Sequence, residues 1–233
     1  MITLVLLPGM DGTGIFFADF VAALPPEFKS AVVAYPDDPS LGYAELEALA
    51  RAALPSDEPF IVLGESFSGP IAISIAASSP RGLRGLILCC TFARNPHPLL
   101  PLVSAMLKPF PAGRVPLFVL QRNLFGSFVS ARLRAKILAV RKLVSAETQM
   151  ARTEAVASID VSSKLSRVTV PALYLRAKHD RLISRASCDH IRKLLPSINI
   201  AEFEAPHLLL QTVPQDALTA IKEFVSSQID FSN

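Results

Sequence analysis

Ser66 stands in the stretch "FIVLGESFSGP", where a run of strand-forming residues gives way to a run of helix-forming ones. A hydroxyl becomes a nucleophile only when a base removes its proton and the backbone exposes it. A sharp turn between a strand and a helix provides that exposure, and small residues let the backbone pack closely around it. The stretch fits the pattern G-x-S-x-G, except that Ser68 occupies the last glycine position. Taken alone, Ser66 is explained equally well as a nucleophile or as a helix-capping serine.

A nucleophilic serine needs a histidine base, and the chain has four histidines. His97 lies in a proline-rich loop, His190 lies in a helical pattern, and His179 adjoins an aspartate. His207 follows the last strand-like run, in "EFEAPHLLLQTVP", where it would face Ser66 across the edge of a sheet. Since a histidine in a loop is more often an ordinary surface residue, only its position in chain order favours His207 as the base.

The acid that orients such a histidine should follow a strand between the serine and the histidine in the sequence. Asp180, in "ALYLRAKHDRLIS", has that position. A carboxylate there would hold one tautomer of the imidazole and stabilise the imidazolium. The alternative is that Asp180 caps the helix that starts near Ser184. His179 is a poorer base, because adjacent residues of an extended segment point to opposite sides.

A glycine-rich turn, "LLPGMDGTG" at residues 6–14, follows the first strand-like run. Acyl transfer needs two donors for the developing oxyanion. The backbone N–H of Met10 and that of Phe67, the residue after the serine, could form such an oxyanion hole. Glycine-rich turns also bind nucleotides, but "GMDGTG" lacks the G-x-G-x-x-G spacing and the lysine of a phosphate loop.

The elements that must position these residues follow an alternating pattern of short apolar runs and helical segments. The apolar runs lie at residues 2–7, 30–34, 60–64, 85–90, 172–177 and 198–203. Helical spacing occurs at 16–24, 43–54, 66–79, 184–195 and 214–228. This alternation predicts an α/β fold with about six mainly parallel strands and helices on both faces. In such sheets the active site lies at the carboxyl ends of the strands.

A long insertion, residues 94–168, separates the fourth and fifth strands and divides a core of residues 1–93 and 169–233. Its helical segments lie near 98–108, 115–125, 128–144 and 147–158. The third segment is amphipathic and basic, with Arg132, Arg134, Lys136, Arg141 and Lys142. We interpret these residues as a solvated cationic face over a packed apolar one, and the alternative is a surface for an anionic partner or substrate tail.

Apolar residues of the insertion favour a pocket for the acyl or alcohol part of a substrate, although they could equally form the insertion's own core. They are Leu99, Leu102, Met106, Leu117, Phe118 and Phe125.

Composition narrows the class of protein. The 233 residues suit one domain with an insertion, and a net charge of +3 is too small to suggest a nucleic-acid partner. The three cysteines have no metal-ligand spacing, which favours a reducing, cytoplasmic location and no metal. The start, "MITLVLLPG", has no basic segment and is interrupted by Pro8, so we interpret it as a buried strand rather than a signal peptide or membrane span.

Together these motifs resemble the α/β-hydrolase fold superfamily. "LLPGMDGTG" is similar to its oxyanion loop, "GESFSG" to its nucleophile elbow, "RAKHDRLIS" to its acid loop and "APHLLLQTVP" to its histidine loop. The order Ser66, Asp180, His207 is the order that this fold uses. Residues 94–168 resemble its helical cap. Two features depart from the pattern. We expect the leading β-hairpin to be absent, and Ser68 stands where the pattern has a glycine. We expect Ser68 to pack tightly behind the elbow.

The resemblance implies a carboxylesterase-like serine hydrolase that cleaves small-molecule esters through an acyl-enzyme. Ser66 would attack, His207 would transfer the proton, Asp180 would orient His207, and the N–H groups of Met10 and Phe67 would bind the oxyanion. We expect no cofactor or metal, no nucleic acid, no stable membrane insertion, and a monomer or homodimer. One alternative is a thioesterase, acyltransferase or lyase of the same fold, because the fold does not decide among these reactions. Another is a non-catalytic ligand-binding protein that retains the fold.

Overall fold

A computed structural model of the chain describes residues 1–97 and 116–229, and these contain one six-stranded sheet. Its strands are β1 (Ile2–Leu7), β2 (Phe28–Val32), β3 (Phe60–Glu65), β4 (Leu83–Cys89), β5 (Ala172–Ala177) and β6 (Asn199–Phe203). They lie in the order β2-β1-β3-β4-β5-β6, and every neighbouring pair is parallel. The predicted α/β fold with about six mainly parallel strands is therefore confirmed.

The buried strands are easily recognised in the sequence, but the edge strand β2 is not. Every residue of β1 and β3 is buried, because helices cover both faces of the sheet there. The prediction placed β2 at 30–34, whereas its pairing with β1 begins at Phe28. Lys29 and Ser30 are polar side chains at a sheet edge, so they conceal the start of this strand from a search for apolar runs.

Helices pack on both faces of the sheet. The α-helices of the described residues are α1 (Ala18–Ala22), α2 (Tyr43–Ala52), α3 (Gly69–Ala77), α4 (Leu117–Leu124), α5 (Ala131–Leu143), α6 (Ala146–Ser158), α7 (Arg185–Leu194), α8 (Leu209–Thr212) and α9 (Pro214–Gln228). Helices α2, α3 and α7 bury their apolar residues against one face. Helices α1, α8 and α9 do so against the other. The predicted helix 214–228 matches α9, whereas the predicted helix 66–79 begins as a 3₁₀ turn, Ser66–Ser68, before α3.

The insertion leaves and rejoins the core at one place. Arg94 and Asp160 form an antiparallel bridge, and the Val161 N–H donates to the Ala93 carbonyl at 2.8 Å. Helices α4, α5 and α6 overlap three of the predicted segments, and the predicted segment 98–108 lies outside the described residues. Leu165, in the 3₁₀ helix Ser162–Arg167, packs into the main core. The division into a core and a cap at 94–168 stays a prediction.

The helices of the insertion pack on the core through an apolar cluster and an ion-pair network. Phe16 from the first loop and Leu208 from the histidine loop meet apolar residues of α5. Lys136 lies 2.8 Å from Asp19 of α1, and Arg132 pairs with the same carboxylate. Part of the basic face of α5 thus serves to attach the insertion to the core. Within the described ranges, no helix combines the length and the apolar character that a bilayer span requires.

Candidate active site

The turn at Ser66 is strained and closely packed. Ser66 follows β3 directly and has φ of +51°, in the left-handed region that residues with a side chain rarely adopt. A β-carbon on Gly64 would lie 2.7 Å from Ala72 Cβ and from the Ser68 carbonyl oxygen. A β-carbon on Gly69 would overlap the side chain of Thr91. Both glycines are therefore required by close approach, and the strain at Ser66 is held in place by the packing around it.

Ser68, which departs from the glycine pattern, connects the elbow to the glycine-rich turn. Its side chain is fully buried, as expected. Its Oγ donates to the carbonyl of Pro8, so the Tyr35 hydroxyl, 2.9 Å away, donates in turn to Ser68 Oγ. A glycine could make neither bond. The hydroxyl at this position is thus a structural link between β3 and the turn after β1.

His207 lies beside Ser66, as its position in the sequence suggested. Its Nε2 is 2.8 Å from Ser66 Oγ, and its Nδ1 is 2.8 Å from Asp180 Oδ2. Because an ionised carboxylate only accepts, Nδ1 carries the proton and Nε2 is free to accept the proton of the serine hydroxyl. Burial alone would lower the pKa of His207, but the charge and hydrogen bond of Asp180, together with the charge of Glu65, hold that pKa above 6.5.

Asp180 both orients His207 and organises its own loop. While Oδ2 faces His207, Oδ1 accepts the N–H groups of Leu182 and Ile183, each at 2.8 Å. Ser184, rather than Asp180, stands at the N-terminus of α7. The carboxylate is almost fully buried, with 4% of its side chain exposed, so these bonds fix its direction. Asp180 therefore binds N–H groups of the loop before α7 through Oδ1, and this leaves Oδ2 available for the contact with His207.

The other three histidines have different environments. His179 is exposed and lies 2.8 Å from Glu204, and His190 in α7 lies 2.8 Å from Ser162. His97 is exposed in the loop after β4. None of these contacts involves Ser66.

The glycine-rich turn passes close to Ser66. A β-carbon on Gly9 would lie 3.9 Å from Ser66 Cβ. The Gly9 carbonyl accepts the Gly12 N–H at 3.0 Å. Since the C=O and N–H of one trans peptide point in opposite directions, that bond turns the Met10 N–H away from the inside of the turn.

The second predicted oxyanion donor, Phe67, is held by its neighbours. Phe67 is the second residue of the 3₁₀ turn that opens α3, where N–H groups lack partners within the helix. Its ring stacks on Tyr43 with 4.6 Å between the ring centroids, and the Tyr43 hydroxyl donates to the Phe67 carbonyl at 3.0 Å. Both predicted donors, on Met10 and Phe67, therefore belong to restrained loops beside Ser66.

Sequence reasoning missed a buried pair behind the site, Glu65 and Gln211. Glu65 immediately precedes Ser66 and is 1% exposed, and its Oε1 accepts from Gln211 Nε2 at 2.9 Å. Burial raises the pKa of Glu65 to about 7, although Gln211 and His207 oppose the rise. Both residues stand within the recognised motifs, but nothing in their spacing indicated that they meet. The pair joins the elbow to helix α8 of the histidine loop.

The apolar residues predicted to line a substrate pocket have different surroundings. Phe125 is fully buried in the cluster that attaches α5 to the core, whereas Phe118 is 73% exposed. Leu99, Leu102 and Met106 lie outside the described residues. A cavity of about 320 Å³ lies between α5 and α8 and is lined in part by Phe128, Leu133 and Gln211. The other apolar residue, Leu117, is partly buried beside the same cluster.

No three His, Cys, Asp or Glu side chains cluster as metal ligands would in residues 1–97 and 116–229. The polar groups near the Ser66 hydroxyl are the imidazole of His207, the carboxylates of Asp180 and Glu65, and backbone N–H groups. Chemically, this set can move a proton from the hydroxyl to the imidazole and stabilise the positive charge that results.

Comparison with known proteins gives a family match and a curated relative. The model of the family described as serine aminopeptidase, S33, matches residues 43–205, more than half of the chain. This range includes Ser66 and Asp180 and ends two residues before His207. The chain is 29% identical over 213 residues to the pimeloyl-(acyl-carrier protein) methyl ester esterase of Xylella fastidiosa strain M23, covering 83% of this chain and 82% of that protein.

Solved structures with the same fold cover almost the entire chain. An esterase, EaEST, from Exiguobacterium antarcticum superposes with a TM-score of 0.82 at 15% identity, covering 97% of this chain and 92% of the other. The enol-lactonase from Burkholderia xenovorans LB400 gives a TM-score of 0.80 at 18% identity, covering 97% and 91%. At these identities the likeness establishes the fold alone.

Proposed function

We propose that this chain, which belongs to the serine aminopeptidase S33 family of the α/β-hydrolase superfamily, is a serine hydrolase that cleaves carboxylic esters through an acyl-enzyme. The family and the curated relative support a hydrolase of esterase type. The observation that carries the proposal is the continuous hydrogen-bonded series from Ser66 Oγ through His207 to Asp180, with both bonds 2.8 Å long.

In the first half of the proposed reaction, His207 Nε2 takes the proton of Ser66 as Oγ forms a bond to the acyl carbon of the ester. The electron pair of the C=O bond moves to its oxygen, which accepts hydrogen bonds from the N–H groups of Met10 and Phe67. Asp180 stabilises the imidazolium through Nδ1. The tetrahedral intermediate then expels the alkoxide, which takes the proton from Nε2 and leaves as the alcohol.

In the second half, water attacks the acyl-enzyme. His207 Nε2 removes a proton from the water, and the new tetrahedral intermediate again places its oxyanion at Met10 and Phe67. When it collapses, Ser66 Oγ recovers the proton from Nε2 and the carboxylic acid is released. The residues return to their starting protonation states without a co-reactant other than water.

An ester, rather than an amide, is proposed as the substrate although the family is described by an aminopeptidase. This choice is supported by the methyl ester esterase of Xylella fastidiosa, because the similarity to that protein covers 83% of this chain. An alkoxide is also a far better leaving group than the anion of an amine, so an ester makes less demand on proton donation from His207 than an amide does.

Substitution of Ser66 by alanine tests the proposal. The purified Ser66→Ala variant should hydrolyse p-nitrophenyl butyrate only at the background rate, with a thermal midpoint close to that of the wild type. Ser56→Ala, an exposed serine, is the matched control and should retain full activity. Ester hydrolysis by Ser66→Ala at more than a few per cent of the wild-type kcat would contradict the assignment of the nucleophile.

The same preparations should be given an acyl thioester and an aminoacyl p-nitroanilide. The proposal requires the oxygen ester to have the highest kcat/KM. A faster thioester or anilide reaction that still depends on Ser66 would support Ser66 as the nucleophile but would contradict the proposal that the substrate is an oxygen ester.

A further inference from the structure

A buried arginine of the insertion, Arg152 in α6, contacts the turn that carries one of the proposed oxyanion donors. Its side chain is 2% exposed, and it donates only to backbone carbonyls in the hydrogen bonds seen among the described residues. Nη1 donates to the carbonyls of Met10 and Asp11, each at 2.9 Å, and Nη2 donates to the carbonyl of Pro36 at 2.8 Å. The guanidinium thus connects α6 to the turns after β1 and β2.

The glycine-rich turn is shaped to fit this guanidinium. Gly12 has φ of +73°, and a β-carbon on it would lie 2.6 Å from Arg152 Nη1 and 3.0 Å from Cζ. The Gly12 carbonyl accepts the Tyr35 N–H at 2.7 Å, and the Tyr35 ring centroid lies 6.0 Å from the guanidinium carbon. A glycine at position 12 is therefore explained by its left-handed backbone, together with the close approach of an arginine that lies 140 residues later in the chain.

Helix α6 also contacts the side chain of Met10 and the loop after β2. Thr153 Oγ1 lies 3.7 Å from Met10 Sδ. At the start of the helix, Asp37 Oδ1 accepts both the N–H and the hydroxyl of Ser145, at 2.9 and 2.8 Å. The position of Arg152 over the turn is thus fixed at two further points.

These bonds restrain the two peptides on either side of the Met10 α-carbon. The Gly9–Met10 peptide is held through its carbonyl, which accepts from the Gly12 N–H. The Met10–Asp11 peptide is held through its carbonyl, which accepts from Arg152. With both planes fixed, the direction of the Met10 N–H is fixed as well. An N–H donor stabilises a developing oxyanion most strongly when it already points at the oxyanion before the reaction begins.

We propose that Arg152 is a positioning residue that aims the Met10 N–H at the oxyanion, so that seating of the insertion on the core completes the oxyanion hole. This inference rests on the proposed function, because it needs an oxyanion to form at Ser66. Arg152 itself does not contact the reacting atoms. It acts through the backbone of Met10, and a core without α6 in place would have a less ordered turn and a weaker donor.

Arg152→Met tests the proposal, with Arg134→Met, an exposed arginine of α5, as the matched control. We expect kcat for p-nitrophenyl butyrate to fall roughly 10- to 100-fold in Arg152→Met, below the loss for deletion of a donor, because Met10 is displaced rather than removed. KM should change less than about threefold, since the lost interaction forms mainly in the transition state. Arg152→Lys should have an intermediate kcat, because an ammonium can still donate to one of the carbonyls. Arg134→Met should match the wild type.

A transition-state analogue distinguishes positioning from a general structural role. An alkyl boronic acid that bonds to Ser66 places an oxygen in the oxyanion hole, so its Ki should rise by the same factor as kcat/KM falls. A wild-type kcat in folded Arg152→Met would overturn the proposal. A fall in kcat with an unchanged Ki would overturn it as well, because the loss would then come from elsewhere.

A second variant is available if Arg152→Met does not fold. Gly12→Ala keeps the arginine, but its β-carbon would lie 2.6 Å from Arg152 Nη1 and would strain a backbone with φ of +73°. Because both effects disturb the contact between the guanidinium and the turn, this variant should show the same paired change in kcat and Ki. Wild-type values in folded Gly12→Ala would refute the inference. Activity in Ser66→Ala would refute the proposed function instead, so the two failures are distinguishable.

Discussion

Replacement of Glu65 by glutamine should stabilise the protein at pH 8 but not at pH 4.5. Glu65 is 1% exposed, and burial raises its pKa to about 7 from the 4.5 of an exposed glutamate. Between these two values the folded protein keeps the proton on Glu65 while the unfolded chain has released it. The unfolded chain binds fewer protons in this window, so the free energy of unfolding falls as the pH rises through it.

The magnitude follows from the two pKa values. Each pH unit in the window removes about 1.4 kcal/mol, so the wild type loses roughly 3 kcal/mol between pH 4.5 and 7 through this group. Glutamine is neutral at every pH and can still accept from Gln211 Nε2, so the variant avoids the loss. At pH 4.5 both side chains are neutral and similar in shape, and the two proteins should be close in stability.

Urea unfolding of both proteins at pH 4.5, 6, 7 and 8 measures the difference directly, and titratable groups that do not interact with Glu65 contribute equally to both. The stability of Glu65→Gln relative to wild type should rise by roughly 3 kcal/mol over this range. Glu204→Gln is the control. Glu204 is exposed and its pKa is lowered by Lys178 and His179, so the stability of Glu204→Gln relative to wild type should not rise with pH. A difference for Glu65→Gln that stays constant across the four pH values would refute the reasoning.

Three further substitutions test the elbow and the base. Asp180→Asn should lower kcat by roughly 10⁴-fold. It should also shift the acidic limb of the rate profile to lower pH, because the charge and hydrogen bond of Asp180 are the main causes that raise the pKa of His207. An unchanged limb from pH 5 to 9 would contradict this. Gly64→Ala should cost about 1–3 kcal/mol in urea unfolding, since its β-carbon would lie 2.7 Å from two fixed atoms. Ser68→Ala should cost about 1–3 kcal/mol by leaving the Pro8 carbonyl without its donor, and wild-type stability would argue against that link.

The sheet and the order of the site residues could be predicted because both leave local patterns. Continuous apolar runs identified the buried strands, and the carboxyl ends of neighbouring parallel strands meet at one edge, which brought Ser66, Asp180 and His207 together. The predicted start of the edge strand β2 was two residues late, because the strand begins with the polar residues Lys29 and Ser30 after Phe28 and is partly exposed to solvent. Sequence patterns report burial, and a half-exposed strand carries less of that signal.

Contacts between distant segments could not be predicted in the same way. Glu65 with Gln211, and Met10 with Arg152, are pairs separated by more than 140 residues, and neither pair has a spacing that marks it. The role of Ser68 is similar: the motif shows that a glycine is missing, but only the positions of Pro8 and Tyr35 explain why a hydroxyl suits the site. Such buried polar contacts depend on the three-dimensional packing.

Covalent labelling of the protein by a fluorophosphonate, followed by mass spectrometry of its peptides, tests the central claim most directly. Attack by an activated serine displaces fluoride and leaves a phosphonyl adduct, so the expected result is one adduct, located on Ser66, that is absent in Ser66→Ala and strongly slowed in His207→Ala. An adduct on a different serine, or no adduct on a folded protein, would contradict the assignment of Ser66 as the nucleophile and favour a ligand-binding protein with this fold.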